Sequence, residues 1–406
     1  MGHTVAIAGA GHAAGQVVAT LRQKKFDGKI LLIGEEPWLP YQRPPLSKKF
    51  LAGELPAERL HFKPENFYDD PGIAVRLDTR IAAVDCGGKS LRTADGETLA
   101  YDKLVFATGA RPRLLNLPGV DLDGIHYLRT IDDVTGIRSQ LTKGARLAIV
   151  GAGYIGLEVA AVASQLGADV TVIEMEDRVM SRVVSPQISE FYQREHSSHG
   201  VTLMLSTGIS GFSGDGKVAA VNLTNGDQVA TDLVVIGIGV VPNTELASDA
   251  GLDVDNGIVV DDHCQTSDSD IFAVGDCTQH PNDILGYRLR LESVHNALEQ
   301  AKTAASNICG DDSRYADVPW FWSDQYDLKL QIAGLSQGYD QTIVRGDPDS
   351  RTFSCLYLRD GQLIAVDAVN SPKDFMQSKA LIAAHAVIDP DLLADPENEL
   401  KSLIES

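Results

Sequence analysis

The feature that most constrains the fold is a glycine-rich turn that occurs twice, each time between an apolar run and a helical pattern. The first copy reads TVAIAGAGHAAG at residues 4–15, and the second reads RLAIVGAGYIGLE at residues 146–158. A second apolar run follows each copy, so both have the order strand, tight turn, helix, strand. One G-x-G-x-x-G is a weak signal, but two copies in the same context predict two nucleotide-binding folds.

The first turn has the residue types that a bound pyrophosphate requires. Gly9 allows the tight turn, Gly11 lets the backbone approach the phosphates, and Ala14 is small enough for close helix–strand packing. The helix that begins near Ala13 directs its first N–H groups at the phosphates. Glu35, at the end of the following strand, suits a ribose diol.

The second turn matches the glycine pattern fully, with Gly151, Gly153 and Gly156. Glu174 lies 21 residues after Gly153, where an acid accepts hydrogen bonds from a ribose 2′-hydroxyl and repels a 2′-phosphate. This spacing favours NADH over NADPH. Arg178 and Arg182 lie nearby and are the alternative, because an arginine there can bind a phosphate.

Charge and cysteine usage exclude several classes of protein. The formal net charge of -21 over 406 residues argues against nucleic acid and against an anionic membrane surface as partners. No apolar run is long enough for a spanning helix, and the chain enters a strand too early for a signal peptide. The five cysteines are odd in number and form no C-x-x-C pair, so we expect free thiols in the cytoplasm and neither a metal site nor a local redox dithiol: Cys86, Cys264, Cys277, Cys309 and Cys355.

Further motifs give the chain a family resemblance. ATGARP (107–112), GAGYIGLE (151–158), IGIGVVPN (236–243) and AVGDC (273–277) resemble the flavin-dependent pyridine nucleotide–disulfide reductase superfamily. Within it, YQRPPLSK (41–48), HYLRT (126–130), LESVHNALEQA (291–301) and PWFWSDQY (319–326) resemble the ferredoxin reductases of bacterial oxygenase systems. The resemblance covers essentially the whole chain.

The resemblance implies an α/β fold of the glutathione-reductase type, with two Rossmann-like dinucleotide-binding domains and a C-terminal α+β domain. Residues 1–112 and 244–318 are expected to bind FAD, and residues 113–243 to bind NADH. Residues 319–406, where short strand-like runs replace the earlier pattern, are expected to form the third domain and to help receive an iron–sulfur protein.

The resemblance also assigns cofactor contacts residue by residue. Ala13 and Glu35 are expected at the FAD pyrophosphate and ribose, Asp276 at the ribityl chain, and Val294 at the pyrimidine edge. The full FAD set is Gly9, Gly11, Ala13, Ala14, Glu35, Lys48, Ile81, Ala107, Thr108, Gly109, Arg129, Asp276, Val294 and Trp320. The NAD set is Gly151, Gly153, Ile155, Gly156, Glu158, Glu174, Arg182 and Gly239.

Two further pairs of residues have a structural and a functional interpretation. Lys48 and Glu158 are either a surface lysine and a helix-face glutamate or, as the resemblance implies, a catalytic pair beside the flavin N5. Trp320 and Trp322 are either core aromatics or residues that flank the flavin edge. His295 follows Val294 where close relatives commonly have proline, so the local detail there is open.

The missing thiols indicate where the electrons go. Residues 41–53 have Pro44, Pro45 and Lys48 and no cysteine, where thiol flavoenzymes of this superfamily keep their cysteines, so we expect the electrons to leave singly to an outside carrier. The predicted function is an NADH-dependent ferredoxin reductase that supplies a cytochrome P450 or ring-hydroxylating dioxygenase, and we expect the protein to be a monomer. The alternatives are a flavoenzyme that reduces oxygen, a quinone or an organic radical, and a slow signalling flavoprotein. The candidate docking residues for a [2Fe–2S] ferredoxin are Arg288, Arg290, Lys329 and Lys379.

Overall fold

The computed structural model describes residues 3–404 and divides into two compact units. The first unit comprises the chain up to Arg43, Glu58–Arg111 and Val240–Pro319. The second comprises Pro44–Ala57, Pro112–Gly239 and the chain from Trp320 onward. The segment Pro44–Ala57 is thus grouped apart from the rest of residues 1–112, and the three domain boundaries expected from the sequence stay a prediction.

The first unit is built on a five-stranded parallel sheet. Its strands lie in the order Ile271–Ala273, Lys103–Phe106, Thr4–Ala8, Lys29–Ile33 and Ile73–Arg76. Thr4–Ala8 is the central strand, so its carboxyl end lies between two neighbours, with Ala8 opposite both Ile33 and Phe106. A glycine turn at this position opens at the carboxyl edge of the sheet, where open α/β sheets bind their ligands.

The second unit repeats the arrangement. Its parallel strands lie in the order Thr202–Met204, Asp169–Ile173, Arg146–Val150, Leu233–Ile236 and Ile125–Tyr127. The three central strands are mainly buried valine, isoleucine and leucine, as is typical of a parallel sheet covered on both faces, whereas the two edge strands are partly exposed. The doubled sequence pattern therefore corresponds to two parallel sheets in which four strands have the same order, whereas the fifth strand comes last in the chain in the first sheet and first in the second.

The C-terminal part of the second unit contains an antiparallel sheet of five strands. In spatial order the strands are Trp320–Gln325, Leu328–Gly334, Gln362–Val369, Thr352–Arg359 and Gln341–Asp347. The helix Pro372–Ala383 packs against this sheet through Phe375, Leu381 and Ile382, all of which are buried. Residues 319–404 thus form the α+β structure expected from the sequence.

The remaining elements complete the two units. The helices are His12–Gln23, Ile131–Gln140, Tyr154–Gln165, Pro186–Ser198, Glu245–Asp249, Val294–Ile308 and Pro390–Ala394, with 3-10 turns at Pro44–Ser47, Ala57–Leu60, Glu65–Asp69, Pro348–Ser350 and Leu400–Ile404. The other strands are Ile81–Asp85, Ser90–Thr93, Thr98–Ala100, Ala110–Pro112, Ile209–Asp215, Lys217–Leu223, Gln228–Ala230, Val240–Pro242, Val254–Asp255, Gly257–Val259, Thr278–Asn282 and Tyr287–Leu289. Between residues 3 and 404, no helix combines the length and the apolarity needed to cross a bilayer.

Candidate functional site

The glycine turn of the first unit has the geometry of a pyrophosphate cradle. Gly9 has a φ of +116°, and a Cβ built on it would lie 2.2 Å from the backbone oxygen of Ala107, so the turn excludes any side chain there. A Cβ on Gly11 would meet nothing within 4 Å, which leaves open space at the N-terminus of the helix His12–Gln23. Ala14 is fully buried. These residues fit a dinucleotide phosphate held by a helix N-terminus.

In the first unit, a buried glutamine forms hydrogen bonds with Gly275 and Thr278, on either side of Asp276. Oε1 of Gln300 accepts the backbone N–H of Gly275 at 2.7 Å and the hydroxyl of Thr278 at 2.9 Å. Nε2 of the same Gln300 is buried with no protein partner. A polar atom of this kind fits a site that is completed by a cofactor, because buried donors are otherwise satisfied.

Val294 is the first residue of the helix Val294–Ile308, as its predicted role requires. The N-cap is Ser293, whose hydroxyl accepts the N–H of Asn296 at 3.1 Å. The N–H of Val294 belongs to the first turn, where donors have no partner within the helix and the dipole favours negative charge. Nε2 of His295 lies 3.3 Å from Oδ2 of Asp317, so this histidine forms an ion pair when it is protonated.

The remaining first-unit candidates differ in their surroundings. The carboxylate of Glu35 is exposed and lies 3.9 Å from Arg80, whereas Ile81 is buried at the start of its strand. The hydroxyl of Thr108 donates to the backbone oxygen of Asn243 at 2.7 Å. Gly109 adopts a positive φ of +62°. The ATGA turn is therefore a fixed element of this unit.

The glycine turn of the second unit repeats the cradle of the first. A Cβ on Gly151, which has a φ of +102°, would lie 2.5 Å from the oxygen of Gly237. A Cβ on Gly156 would lie 2.3 Å from the oxygen of Gly151, so the helix Tyr154–Gln165 packs directly on the turn. Gly153 faces open space, with nothing within 4 Å. Ile155 projects from the first turn of the helix and is 40% exposed.

Glu174 lies at this turn, in the position that the spacing predicts. Its Oε2 accepts the backbone N–H of Ala152 at 2.6 Å, and its Oε1 accepts the N–H of Glu176 at 3.0 Å. The carboxylate is thereby fixed beside the Gly151–Gly153 turn, where a ribose hydroxyl can donate to its remaining lone pairs.

The two arginines near Glu174 have different environments. The guanidinium of Arg178 donates to the carbonyl oxygens of Val184 and Ser181 and to the hydroxyl of Ser189, so it holds its own loop together. Arg182 is exposed and lines a small surface cavity. The guanidinium of Arg178 is thus used in hydrogen bonds within its own loop, whereas Arg182 is exposed to solvent. Gly239, with a φ of +101° and open space at its Cβ, completes the NAD candidates.

The predicted pair of Lys48 and Glu158 is brought together in the second unit. Nζ of Lys48 lies 2.7 Å from Oε2 of Glu158, and the two side chains are 18% and 4% exposed. The hydroxyls of Ser47 and Ser323 also donate to this carboxylate, the latter to Oε1 at 2.7 Å. Glu158 is therefore a buried carboxylate with three hydrogen-bond donors, Lys48, Ser47 and Ser323, and such partners offset the cost of burying its charge.

The two serines around Glu158 were not identified from the sequence. Ser47 is in the RPPLSK motif and Ser323 is in PWFWSDQY, so both lie inside motifs that carry the resemblance. The available signal was strand alternation, which puts Ser323 and Gln325 on one face, and the structure buries both fully. Their convergence on Glu158 across 111 and 165 residues of sequence is tertiary information.

Trp320 and Trp322 lie on the first strand of the C-terminal sheet. Their ring centroids are 5.6 Å apart, and Nζ of Lys379 lies 5.6 Å from the centroid of the Trp320 ring. Both tryptophans are only partly buried, which differs from ordinary core aromatics. Arg129 lies just before the helix Ile131–Gln140, and its backbone N–H donates to Asp133.

The docking candidates are not equally available to a partner. In the first unit, Arg288 donates to the backbone oxygens of Val260 and Gln279. Arg290 pairs with Glu292 and is 14% exposed. In the second unit, Lys329 is 58% exposed and lies 3.8 Å from Asp324. Lys379 lies one turn after Met376, which is 62% exposed.

All five cysteines are free thiols, and burial raises the pKa of each. The pKa of the Cys355 thiol reaches about 12. Cys277, which follows the ribityl-binding candidate Asp276, is fully buried, and its thiol faces the backbone oxygen of Val274. A reactive cysteine requires a thiolate at neutral pH, so none of the five has the character of a redox nucleophile.

Two glycine cradles and a buried lysine–glutamate pair define a two-nucleotide oxidoreductase. Residues 3–301 match the family described as pyridine nucleotide-disulphide oxidoreductase, and residues 320–404 match the domain described as reductase C-terminal. The chain belongs to the pyridine nucleotide-disulphide oxidoreductase family and uses FAD and NAD(P)H.

Named relatives narrow the class further. The 5,5'-dehydrodivanillate O-demethylase ferredoxin reductase subunit of a Sphingobium species is 45% identical over 98% of this chain and 97% of its own. Putidaredoxin reductase CamA of Pseudomonas putida is 42% identical over 98% and 96%. The reductase in the crystal structure of the covalent putidaredoxin reductase–putidaredoxin complex covers 99% of this chain and 98% of its own, with a TM-score of 0.96 and 42% identity. The resemblance and the fold class predicted from the sequence are confirmed.

Proposed function

We propose that this chain is an NADH-dependent ferredoxin reductase. One NADH supplies a hydride, two ferredoxin molecules each accept one electron, and one proton is released, so the reaction balances. FAD, when bound, supplies the conversion of a two-electron donor into two single-electron transfers. The observation that carries the proposal is the buried Lys48–Glu158 pair, in a chain whose five cysteines are free thiols with pKa values raised by burial.

Each cofactor contact predicted from the sequence is part of the proposal. The FAD set fits the open cradle at Gly11 and the N–H of Val294, and the NAD set fits the open cradle at Gly153 and the fixed carboxylate of Glu174. In this arrangement Lys48 supplies a positive charge toward the flavin and Glu158 holds that lysine and seats the nicotinamide. Glu174 reads the 2′-hydroxyl and thereby selects NADH.

The proposed electron acceptor is a [2Fe–2S] ferredoxin that serves a cytochrome P450 or a ring-hydroxylating dioxygenase in the cytoplasm. Relatives that cover 98% of the chain include a reductase component named for an anthranilate 1,2-dioxygenase system and a ferredoxin reductase named for the CYP199A2 system, and the free thiols suit a reducing compartment. Of the four docking candidates, Lys379 is supported best, because its ammonium group lies over Trp320 beside an exposed methionine.

The experiment is cytochrome c reduction by the purified holoenzyme with NADH, with and without added ferredoxin. We expect the rate to rise at least about tenfold with ferredoxin, to a turnover above about 1 per second. Ferricyanide, which needs no docking surface, serves as the control for the first half of the reaction. Equal rates with oxygen or a quinone as acceptor would instead identify an oxidase or quinone reductase. Turnover below about 0.1 per second with every ferredoxin would identify a signalling flavoprotein.

A further inference from the structure

The buried carboxylate of Glu158 is the first member of a continuous chain of hydrogen bonds within the second unit. Ser323 donates to Oε1 of Glu158 at 2.7 Å, and Nε2 of Gln325 donates to the hydroxyl oxygen of Ser323 at 3.1 Å. Oε1 of Gln325 lies 2.8 Å from Nε2 of His196, and Nδ1 of His196 lies 3.1 Å from the hydroxyl of Tyr326. Ser323, Gln325 and His196 are each at least 99% buried.

The last member of the chain reaches the surface. Tyr326 occupies the two-residue turn between the paired residues Gln325 and Leu328, with a φ of +57° that a residue of this size rarely adopts. Its ring stacks on His199 at 3.8 Å between centroids. It lines an open cavity of about 540 Å³ together with Glu195, Asp327 and Arg351. The chain therefore connects this cavity with the Lys48–Glu158 pair.

The charge of Glu158 determines the position of every proton in the chain. An ionised carboxylate only accepts, so Ser323 must direct its single proton at Glu158 and can only accept from Gln325. Gln325 must then present its N–H₂ to Ser323 and its oxygen to His196, which places the ring proton on Nε2. Nδ1 of a neutral His196 is left to accept from the hydroxyl of Tyr326.

We propose that Ser323, Gln325 and His196 are positioning residues for the reaction, acting through Glu158 to fix the orientation of its carboxylate and the place of Lys48. The inference rests on the proposed function for its kinetic consequence, but the hydrogen-bond chain itself does not. It gives the SDQY part of the PWFWSDQY motif a role, since Ser323 and Gln325 lie on the buried face of their strand. Burial lowers the pKa of His196 to about 4, which keeps its ring neutral at physiological pH, as the chain requires.

The Glu158→Gln variant makes a sharp test, because it reverses the direction of the whole chain. The amide oxygen must face Lys48 and Ser47, which are both donors, so the amide nitrogen faces Ser323. Ser323 then accepts and turns its proton to Gln325, whose amide flips and offers N–H₂ to His196. The ring proton moves to Nδ1 and is donated to Tyr326. The expected result is a change of His196 tautomer three hydrogen bonds away from the substitution.

The tautomer is read from long-range 1H–15N spectra of the 15N-histidine-labelled holoenzyme, with the His196 signals assigned by their loss in His196→Gln. We expect the proton on Nε2 in the wild type and on Nδ1 in Glu158→Gln. The same tautomer in both proteins, or a doubly protonated ring at pH 7, would overturn the proposal. In a Ser323→Ala background the chain is broken, so Glu158→Gln is expected to leave the tautomer unchanged.

Kinetics test whether the chain serves the reaction. Ser323→Ala is expected to slow anaerobic flavin reduction by NADH at least about threefold, because Glu158 loses one of its three hydrogen-bond donors, and to have no further effect in the Glu158→Gln background. Ser354→Ala is the matched control, because Ser354 is a buried serine of the same sheet that donates to a carboxylate, Asp374, paired with Arg345. If the effect of Ser323→Ala added to that of Glu158→Gln, or if Ser354→Ala slowed flavin reduction equally, the role of Ser323, Gln325 and His196 would be structural only. If the His196 tautomer changes as expected but the wild-type enzyme shows no ferredoxin-dependent activity, the proposed function is rejected and the proposal about the hydrogen-bond chain is not.

Discussion

At the scale of single residues, the proposed preference for NADH depends on one carboxylate. Glu174 is fixed by the N–H of Ala152 beside the second glycine turn, and the neighbouring Arg178 is committed to its own loop. We therefore expect kcat/KM to favour NADH over NADPH by at least about tenfold, which corresponds to about 1.4 kcal/mol. Glu174→Ala should narrow this ratio, and adding a basic residue nearby should narrow it more. Equal use of both nucleotides by the wild type would contradict the assignment.

Lys48 is the second single residue with a measurable consequence. Its ammonium group is held by Glu158 at 2.7 Å and donates to the backbone oxygen of Pro44 at 3.2 Å, so its position is fixed before any substrate binds. Lys48→Met keeps the unbranched shape and most of the length of the side chain and removes the charge. Stopped-flow absorbance should show flavin reduction by NADH slowed at least about tenfold while FAD stays bound. If the rate were unchanged, Lys48 would only neutralise Glu158.

At the scale of elements, substitutions at two glycines of the second glycine turn should affect different properties, NADH binding at Gly153 and stability at Gly156. A Cβ on Gly153 meets nothing within 4 Å, and its φ of -78° suits any residue. Gly153→Ala should therefore leave Tm within about 1 °C of the wild type but weaken NADH binding at least about tenfold, because the methyl group takes the place of a phosphate. A Cβ on Gly156 would lie 2.3 Å from the oxygen of Gly151, so Gly156→Ala should lower Tm by several degrees. Similar effects of both substitutions on Tm would contradict the distinction.

The strand Gln362–Val369 has a buried acid that should make stability depend on pH. Asp367 is 1% exposed and accepts the hydroxyl of Tyr357, and burial raises the pKa of Asp367 to about 7. The unfolded chain has a lower carboxyl pKa, near 3.9, so it releases the proton first as pH rises, and folding loses stability between about pH 4 and 7. Cys355 and Tyr154 face the same carboxyl group and stay neutral in this range, because burial raises their pKa values too.

Asp367→Asn tests this dependence, since the amide keeps an acceptor for Tyr357 and cannot ionise. Relative to the wild type, the variant should gain at least about 1 kcal/mol between pH 5 and pH 8, or about 1 °C or more in Tm at this chain length. The measurement is Tm of variant and wild type at both pH values and one scan rate. A constant difference between the two proteins would mean that Asp367 stays ionised or stays neutral throughout.

The elements also show what the sequence can and cannot predict. The two glycine turns, Glu174 and the paired strand–helix–strand units were predicted, because each depends on residues close together in sequence. The surroundings of Glu158 were only half predicted: Lys48 was found through its motif, whereas Ser323, 165 residues away, was not. The hydrogen-bond donors around a buried carboxylate are brought together by tertiary packing, and local sequence periodicity does not indicate which distant hydroxyl will contact it. The same holds for Arg290, whose exposure of 14% no sequence pattern indicated.

At the scale of the whole molecule, the net charge of -21 opposes an acidic partner. Salt largely screens charges that lie more than about one Debye length apart, roughly 10 Å at 0.1 M salt, so charges close to the contact decide docking and an acidic partner needs a local positive group there. Lys379 and Lys373 lie on the same helix, Pro372–Ala383, and reversing either changes the net charge equally. Lys379 lies over Trp320, whereas Lys373 is 64% exposed and pairs with Glu399 at 2.9 Å. The two positions therefore separate a local effect from a global one.

Lys379→Glu should raise KM for the ferredoxin at least about fivefold in 0.1 M salt, and the effect should shrink in 1 M salt, where the Debye length falls to about 3 Å. Lys373→Glu should change the same KM less than about twofold, and neither variant should alter the NADH–ferricyanide rate by more than that. Equal increases in KM for both variants would show that net charge alone governs the encounter. A fall in the ferricyanide rate with Lys379→Glu would place this lysine in support of Trp320 and the flavin site, because ferricyanide reaches the flavin without docking. No change in any of these rates would locate the docking surface away from the helix Pro372–Ala383.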